Sequence, residues 1–532
     1  GAAPRPAGPG GTRAGRGAAP RQVRAPGEAP LRALHGFLRD RLAGLVSAVH
    51  LLPVFPWSSD DGYAVEDFAS IDPALGDWDD VAAIARDFDV MLDVVMNHVS
   101  ASHPWLTGFL GGDPAFGRHF LEVEPGTDLS GVVRPRTTPL LTPFPSSAGE
   151  RLLWTTFSAD QVDLNYAEPA VLARMLEVVL DILGSGATLL RLDAVGYTWK
   201  EPGTSCLNLA GAHHLVRAVR SAVDAAAPGA AVVTETNVPQ PDNVAYFGDG
   251  AAEAHAVYQF SLPPLVLHAL MFGTAERLSP WISELEPAPP GCAYLDILAT
   301  HDGIGLMPAH GILPEAEIAE MVERVRRHGG LVTMRDTPFG PRPYELNSTL
   351  FDALSDPNAG EPESLGIDRH LAASSIMLAL AGVPGIYVHS LFGTPNDREA
   401  ANASGIPRRI NRRRFERAAL ETELGDPRSR ARRVFDGTVR LLRARGSHPA
   451  FRPDSPQRVL EAPSGVLALE RGSDATGRVR CLVNLTTDEQ TVPAPEGIDL
   501  LAGRSVAAED VFRLGPYEVA WIAEDRRPQP PG

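Results

Sequence analysis

Cysteine is scarce: Cys206, Cys292 and Cys481 are the only three in a chain of 532 residues. An odd number so far apart excludes a disulfide scaffold and a Cys-rich zinc site, and fits a reducing compartment, the cytoplasm. Long apolar runs are missing as well. No stretch approaches the roughly 20 residues that cross a bilayer as a helix, so no membrane partner is expected. Positive charge is in deficit, with 48 Lys and Arg against 66 Asp and Glu, a formal charge of −18. That sign disfavours nucleic-acid partners, whose phosphates would be repelled. Lysine is almost absent, Lys200 being the only one, so an anion site here must be built from arginine forks. No His/Cys cluster has metal-ligand spacing, so neither a metal nor an organic cofactor is expected.

The first thirty residues, rich in Gly, Pro, Ala and Arg, hold a single large aliphatic, Val23. They bury too little to offset their ordering entropy, so residues 1–30 are expected to be disordered. They also lack the apolar stretch of a signal peptide. From Leu31 onward the pattern changes. Leu31, Leu34, Leu38, Leu42 and Leu45 recur at helical spacing, and SAVHLLPV then reads as a short buried strand. VMLDVVMN, ATLLRLDAV, AAVVTET, HAVYQF, AYLDILAT and PGIYVHS repeat the strand signal, with amphipathic helices between several of them. Seven such strands between 47 and 389, with no Gly-rich nucleotide fingerprint after the first, favour an α/β fold of the (β/α)8 barrel type. The barrel would take residues 31–97, 165–302 and 366–445. Two Pro- and Gly-rich insertions, 98–164 and 303–365, follow strand C-termini, the face where barrel active sites lie. From 450 to 526 a period-two pattern predicts a C-terminal antiparallel β-sandwich.

Polar groups cluster at the strand ends. Arg191 and Asp193 stand two apart, on one face of their strand. Glu235 ends the next strand, His301 and Asp302 end another, and Asn97 and His98 end an earlier one. A lone acid after a strand is usually a helix cap. Several such groups at the ends of different strands converge on one barrel mouth instead. Two carboxylates about 5–5.5 Å apart suit retaining glycoside chemistry, one attacking the anomeric carbon and the other moving the proton.

LDVVMNH, LLRLDAVGY, TETN and LATHDGIG resemble the four ordered motifs of the α-amylase superfamily, glycoside hydrolase family 13. LLPVFPWSSDDGYAVEDF, GDWDD, WTTFSADQVDLNY, YQFSLPPLVLHAL and PGIYVHSLFGTPND resemble its sucrose phosphorylase subfamily more narrowly. The resemblance implies that Asp193 is the nucleophile, Glu235 the acid/base and Asp302 the transition-state stabiliser. His98 and His301 would flank them, and Arg191 would orient the nucleophile. It also implies an Asp60–Arg412 pair gripping the far end of a glucose ring, Tyr63 stacking on it, and Gln161 serving a subsite. Members of this superfamily open with a strand ending in a Tyr-Gly-Asp-like motif. Nothing in residues 1–30 matches it, so the first barrel strand is expected to be missing, at a cost to the neighbouring edges.

A phosphorylase must hold phosphate, its co-substrate, where a hydrolase admits water. Arginine forks bind such anions bidentately. The loop 335–347 offers Arg335 and Arg342, and the loop 404–415 offers Arg408, Arg409, Arg412, Arg413 and Arg414. Arg342 and Arg409 are the leading candidates. The PYELN segment and the arginine-rich INR loop look more like the subfamily members that act on glucosylglycerate than those that act on sucrose. The expected partners are therefore a small-molecule glucoside and phosphate, for a monomer or homodimer. A sucrose or sucrose 6-phosphate phosphorylase, an α-glucosidase or glucosyltransferase, and an inactive paralogue are the alternatives.

Overall fold

The computed structural model describes residues 15–18, 22–337, 339–493, 496–507 and 511–524. Eight parallel strands close into a barrel: β1 Gly15–Ala18, β2 Ala48–Leu51, β3 Asp89–Val95, β4 Leu189–Asp193, β5 Ala231–Thr234, β6 Ala256–Tyr258, β7 Ala293–Ile297 and β8 Val383–Tyr387. Most are Val/Leu/Ile-rich runs, as strands covered on both faces should be.

β1 overturns the expectation of a missing strand. Its sequence is Gly-Arg-Gly-Ala, yet Gly15, Arg16 and Gly17 pair in parallel with Gly385, Ile386 and Tyr387 of β8. On the other side, Gly17 and Ala18 pair with His50 and Leu51 of β2. The two flanking strands present unpaired backbone to the gap, and a segment needs only its own amides to fill it. Side-chain propensity therefore gave no warning. Nor is the chain disordered from 22 to 30. Gln22 is buried and reaches Tyr387 Oη at 2.9 Å and His389 Nε2 at 3.0 Å, while Val23–Arg24 pairs with Phe415–Glu416. Residues 1–14 and 19–21 of that segment lie outside the described residues.

The helices that wrap the barrel start where their caps dictate. Trp78–Ala85 begins at Asp77, whose side chain accepts from the Asp80 amide while Asp80 accepts from that of Asp77, a capping box. Pro169 opens Pro169–Gly184 at a position that needs no amide donor.

The region 98–164 carries the helix Pro104–Gly111 and the hairpin Leu141–Ser146 with Gly149–Trp154. At its root His98–Ser100 pairs antiparallel with Gln161–Asp163. The region 303–365 carries the helix Glu315–Arg327 and an antiparallel sheet of Ile304–Gly305, Arg342–Asn347 and Leu331–Arg335. Both regions follow C-terminal strand ends, so they wall the barrel mouth. The C-terminal part has a six-stranded antiparallel sheet and a two-stranded one, joined by a core that includes Val466, Leu482, Val492, Leu514 and Ile522. Arg471, fully buried on that sheet, donates to the carbonyls of Ala379 at 2.6 Å and Arg452 at 2.9 Å, tying it to the barrel.

Candidate active site

β4 ends Arg-Leu-Asp, so Arg191 and Asp193 both point into the barrel. Arg191 Nη1 donates to Asp193 Oδ1 at 2.7 Å and also to Asp93 of β3, which His50 Nε2 meets at 2.9 Å. The chain then turns through Ala194 at a φ of 50°, a left-handed conformation that alanine rarely adopts. That turn aims the Ala194 amide at Glu235 Oε2, 3.0 Å away, and so brings the ends of β4 and β5 together. From β7, His301 stacks on Tyr63 at 5.1 Å between ring centres, and its Nε2 lies 3.2 Å from Asp302 Oδ1. Asp193, Glu235, His301, Asp302 and Tyr63 share one pocket with Asp60, His98, Gln161, Arg136, Phe157, Tyr197, Asn237, Tyr344 and Arg408.

Burial raises the pKa of both Asp193 and Glu235, and Arg191 opposes this in each. The charge of Glu235 acts on Asp193, so the two carboxyls titrate as a pair. Arg191 donates directly to Asp193, which favours ionised Asp193 and leaves the shared proton on Glu235. Asp302 is half-buried, which raises its pKa, but Arg408, His301 and Arg412 hold it well below the usual carboxylate range. His301 is pushed down to about 3 by burial, and burial also lowers His98, so both are neutral near pH 7. The pocket thus offers an anion, an acid and a second anion, the set a double displacement uses.

Asp193, Glu235, Asp302, Asp60, Tyr63, His98, Gln161 and His301 line this pocket together. His98 Nε2 lies 2.9 Å from the Tyr63 carbonyl and 3.0 Å from Gln161 Nε2. Asp60 and Arg412, the two residues expected to grip the far end of the glucose ring, do not bond to each other. Arg412 Nη1 binds Asp61 at 2.9 Å, whereas Asp60 receives Gln161 Nε2 at 3.4 Å. Both aspartates sit at a φ of 53°, and this tight turn sends neighbouring carboxylates in different directions. Arg409 is not in the pocket either, because its guanidinium also binds Asp61, at 2.9 Å. Arg342 pairs with Arg335 toward the tip of its hairpin and is exposed. The pocket's guanidiniums are instead Arg136 and Arg408, with Tyr344 and Tyr197 beside them. Arg136 gave no signal in the sequence, being one arginine among many in a long insertion. Tyr344 does stand in the PYELN segment.

Under the pocket lies the lone lysine. Lys200 Nζ meets Asp163 Oδ2 and Asn97 Oδ1, each at 2.6 Å, and both ends of the ion pair are fully buried. Asp163 also accepts from Asn97 Nδ2 and from the amide and hydroxyl of Thr156. Removing one partner of such a pair strands the other charge. Lys200→Met is expected to cost about 3–5 kcal/mol of stability, read from denaturant unfolding. A loss below about 1 kcal/mol, the worth of a surface pair, would mean that water solvates Asp163.

An eight-stranded parallel barrel with these carboxylates at its C-terminal mouth defines an enzyme of the retaining glycoside-processing class. The comparisons with known proteins narrow that class. Residues 42–277 match the alpha amylase catalytic domain model, and residues 463–522 match the C-terminal immunoglobulin-like domain of D-apionate lactonase. The chain is 50% identical to the glucosylglycerate phosphorylase of Allomeiothermus silvanus, over 94% of this chain and 89% of that one. It is 41% identical to the Escherichia coli protein of the same name, over 93% and 88%. With the sucrose phosphorylase of Agrobacterium vitis the figures are 33%, 79% and 85%. The crystal structure of sucrose 6F-phosphate phosphorylase from Thermoanaerobacter thermosaccharolyticum shares the fold, with a TM-score of 0.78 at 24% identity, over 89% of this chain and 94% of that one. The chain belongs to the α-amylase family and, within it, to the glycoside phosphorylases.

Proposed function

We propose that the enzyme transfers the glucosyl unit of glucosylglycerate to inorganic phosphate, with retention, giving α-glucose 1-phosphate and glycerate. The observation that carries this reading is the pairing of a closed carboxylate pocket with Arg136 at its wall. Among the described residues no carboxylate pairs with Arg136. Its one hydrogen bond, to the Pro135 carbonyl, is 3.4 Å long, and it lies about 5.8 Å from the Phe157 ring centre and 5.9 Å from that of Tyr344. Such a guanidinium is ready to accept phosphate, or the carboxylate of glycerate, bidentately. The identities of 41–50% to proteins named for this substrate support the choice of acceptor.

In the first half-reaction an Asp193 carboxylate oxygen attacks the anomeric carbon while Glu235 protonates the departing glycosidic oxygen. The C–O bond to glycerate breaks, and a β-glucosyl ester forms on Asp193. Asp302, held ionised, accepts from glucose hydroxyls and stabilises the positive charge that builds on the ring. In the second half-reaction a phosphate oxygen attacks the same carbon, Glu235 takes the phosphate proton, and Asp193 is released. Two inversions give net retention. Neutral His98 and His301, with Gln161, Asp60 and Tyr63, bind the glucose ring.

The acceptor is tested by running the reaction in reverse. α-Glucose 1-phosphate is offered with glycerate, fructose, fructose 6-phosphate or glycerol, and phosphate release is followed. Glycerate is expected to be preferred, and a preference for either fructose acceptor would overturn the assignment. No step calls for a metal or an organic cofactor, so dialysis against a chelator is expected to leave the rate unchanged. A loss restored by calcium would contradict this. The free, buried thiols of Cys206, Cys292 and Cys481 agree with a cytoplasmic enzyme.

A further inference from the structure

Glu345 stands on the strand Arg342–Asn347 and is 1% exposed, outside the set of pocket-lining residues. Its carboxylate accepts from Arg408 Nε at 3.2 Å, from Arg408 Nη2 at 2.8 Å, and from Asn347 Nδ2 at 2.5 Å. The third nitrogen of the same guanidinium, Arg408 Nη1, lies 2.6 Å from Asp302 Oδ1. Arg408 is thereby clamped between two carboxylates, one on the inserted sheet and one in the catalytic group. Asn347 reinforces the arrangement by donating to the Asp302 carbonyl at 3.1 Å and by accepting from Thr333 Oγ1 at 2.6 Å.

We infer that Glu345 is a positioning residue for catalysis, fixing Arg408 by a bidentate grip so that the guanidinium engages Asp302 rather than the bound anion. An arginine at the wall of a phosphate pocket has a competing partner in every substrate or product anion. Two carboxylates already share the charge of Arg408, which leaves Arg136 as the guanidinium for the acceptor. A rigid, pre-satisfied Arg408 also spares Asp302 from reorganising as charge develops on the glucosyl ring. The inference rests on the catalytic roles proposed above.

Asp302 faces His301 on its own segment, Arg408 and Arg412 from the loop after β8, Arg191 and Asp193 from β4, and Glu235 from β5. Among the cations, Arg408 contributes most to keeping it ionised. Loosening Arg408 must therefore weaken the hold on ionised Asp302, which reads as a fall in kcat and not as a loss of donor binding.

The test uses Glu345→Gln, which keeps the side chain's shape but removes the charge. A control, Val325→Ala, loosens the packing of the buried face of Glu315–Arg327 in the same inserted region and removes none of the hydrogen bonds of Glu345, Asn347 or Arg408. Glucosyl transfer from α-glucose 1-phosphate to glycerate is followed. Glu345→Gln is expected to lower kcat about 10- to 150-fold, the loss of one charge-assisted contact, with the KM for donor nearly unchanged. The kcat of Val325→Ala should stay close to that of the wild type. An unchanged kcat in Glu345→Gln would overturn the inference. So would a KM for donor that rises as kcat falls, or an equal loss of kcat in Val325→Ala, since either marks general loosening. A wild-type enzyme inactive with glycerate but active with another acceptor fails the acceptor assignment alone, and the Glu345 comparison is then made with that acceptor. A wild-type enzyme inactive with every acceptor overturns both.

Discussion

Asp193→Asn is expected to lower kcat by about four to six orders of magnitude, the loss seen when an enzyme's nucleophile is removed. The fold should be intact. The amide replaces the carboxylate nearly atom for atom, and Arg191 retains its second partner, Asp93. Burial opposes charge at position 193, so a neutral side chain relieves a cost there. The midpoint of thermal unfolding is therefore expected to hold or rise, a common trade at active sites. The two readouts separate chemistry from folding. Wild-type enzyme mixed with α-glucose 1-phosphate in the absence of acceptor should gain the mass of one glucosyl unit, and Asp193→Asn should not. A variant that retains more than about one-hundredth of the rate, against the loss of several orders expected for a nucleophile, would place the nucleophile elsewhere.

Seven of the eight barrel strands were legible because their signal is local: segments such as AVHL, DVMLDVV and LLRLD bury apolar side chains on both faces. β1 was illegible because the pairing that places Gly15–Ala18 comes from β2 and β8, and its sequence carries no apolar pattern of its own. The same division runs through the site. Asp193, Glu235 and Asp302 could be read because strand alternation fixes the side to which each strand-end residue points. The loop arginines could not, since no periodicity relates a loop position to a direction. Arg342 lies toward a hairpin tip and faces solvent, while Arg408, one residue before Arg409, turns inward onto Asp302 and Glu345. Asp60 and Asp61 differ for a similar reason. The left-handed turn that separates them is a backbone choice usually reserved for glycine or asparagine. Composition told that anion recognition here must use arginine, but only tertiary contacts told which arginines are already committed to carboxylates.

Removing the acid should slow glucosylation of the enzyme unequally for the two donors, glucosylglycerate and α-glucose 1-phosphate. Glycerate leaves as an alkoxide of high basicity and needs a proton as its bond breaks, whereas phosphate leaves readily without one. Glu235→Ala is therefore expected to slow phosphorolysis of glucosylglycerate by about 100- to 10,000-fold, the usual worth of a general acid. Formation of the glucosyl-enzyme from α-glucose 1-phosphate should fall far less. The pH dependence follows from the same proton. Burial raises the folded-state pKa of Glu235, so the acid form persists above the ordinary range of a glutamic acid. Phosphorolysis should be fully active below that raised value and be lost as pH climbs through it. In Glu235→Ala this alkaline limb should vanish, because the group that loses the proton is gone. Parallel plots of kcat/KM against pH for the two enzymes, each in both directions, check the assignment. An alkaline limb that survives in Glu235→Ala, or equal losses of kcat/KM for the two glucosyl donors, would mean that another group carries the proton and that Glu235 serves only to hold the turn at Ala194.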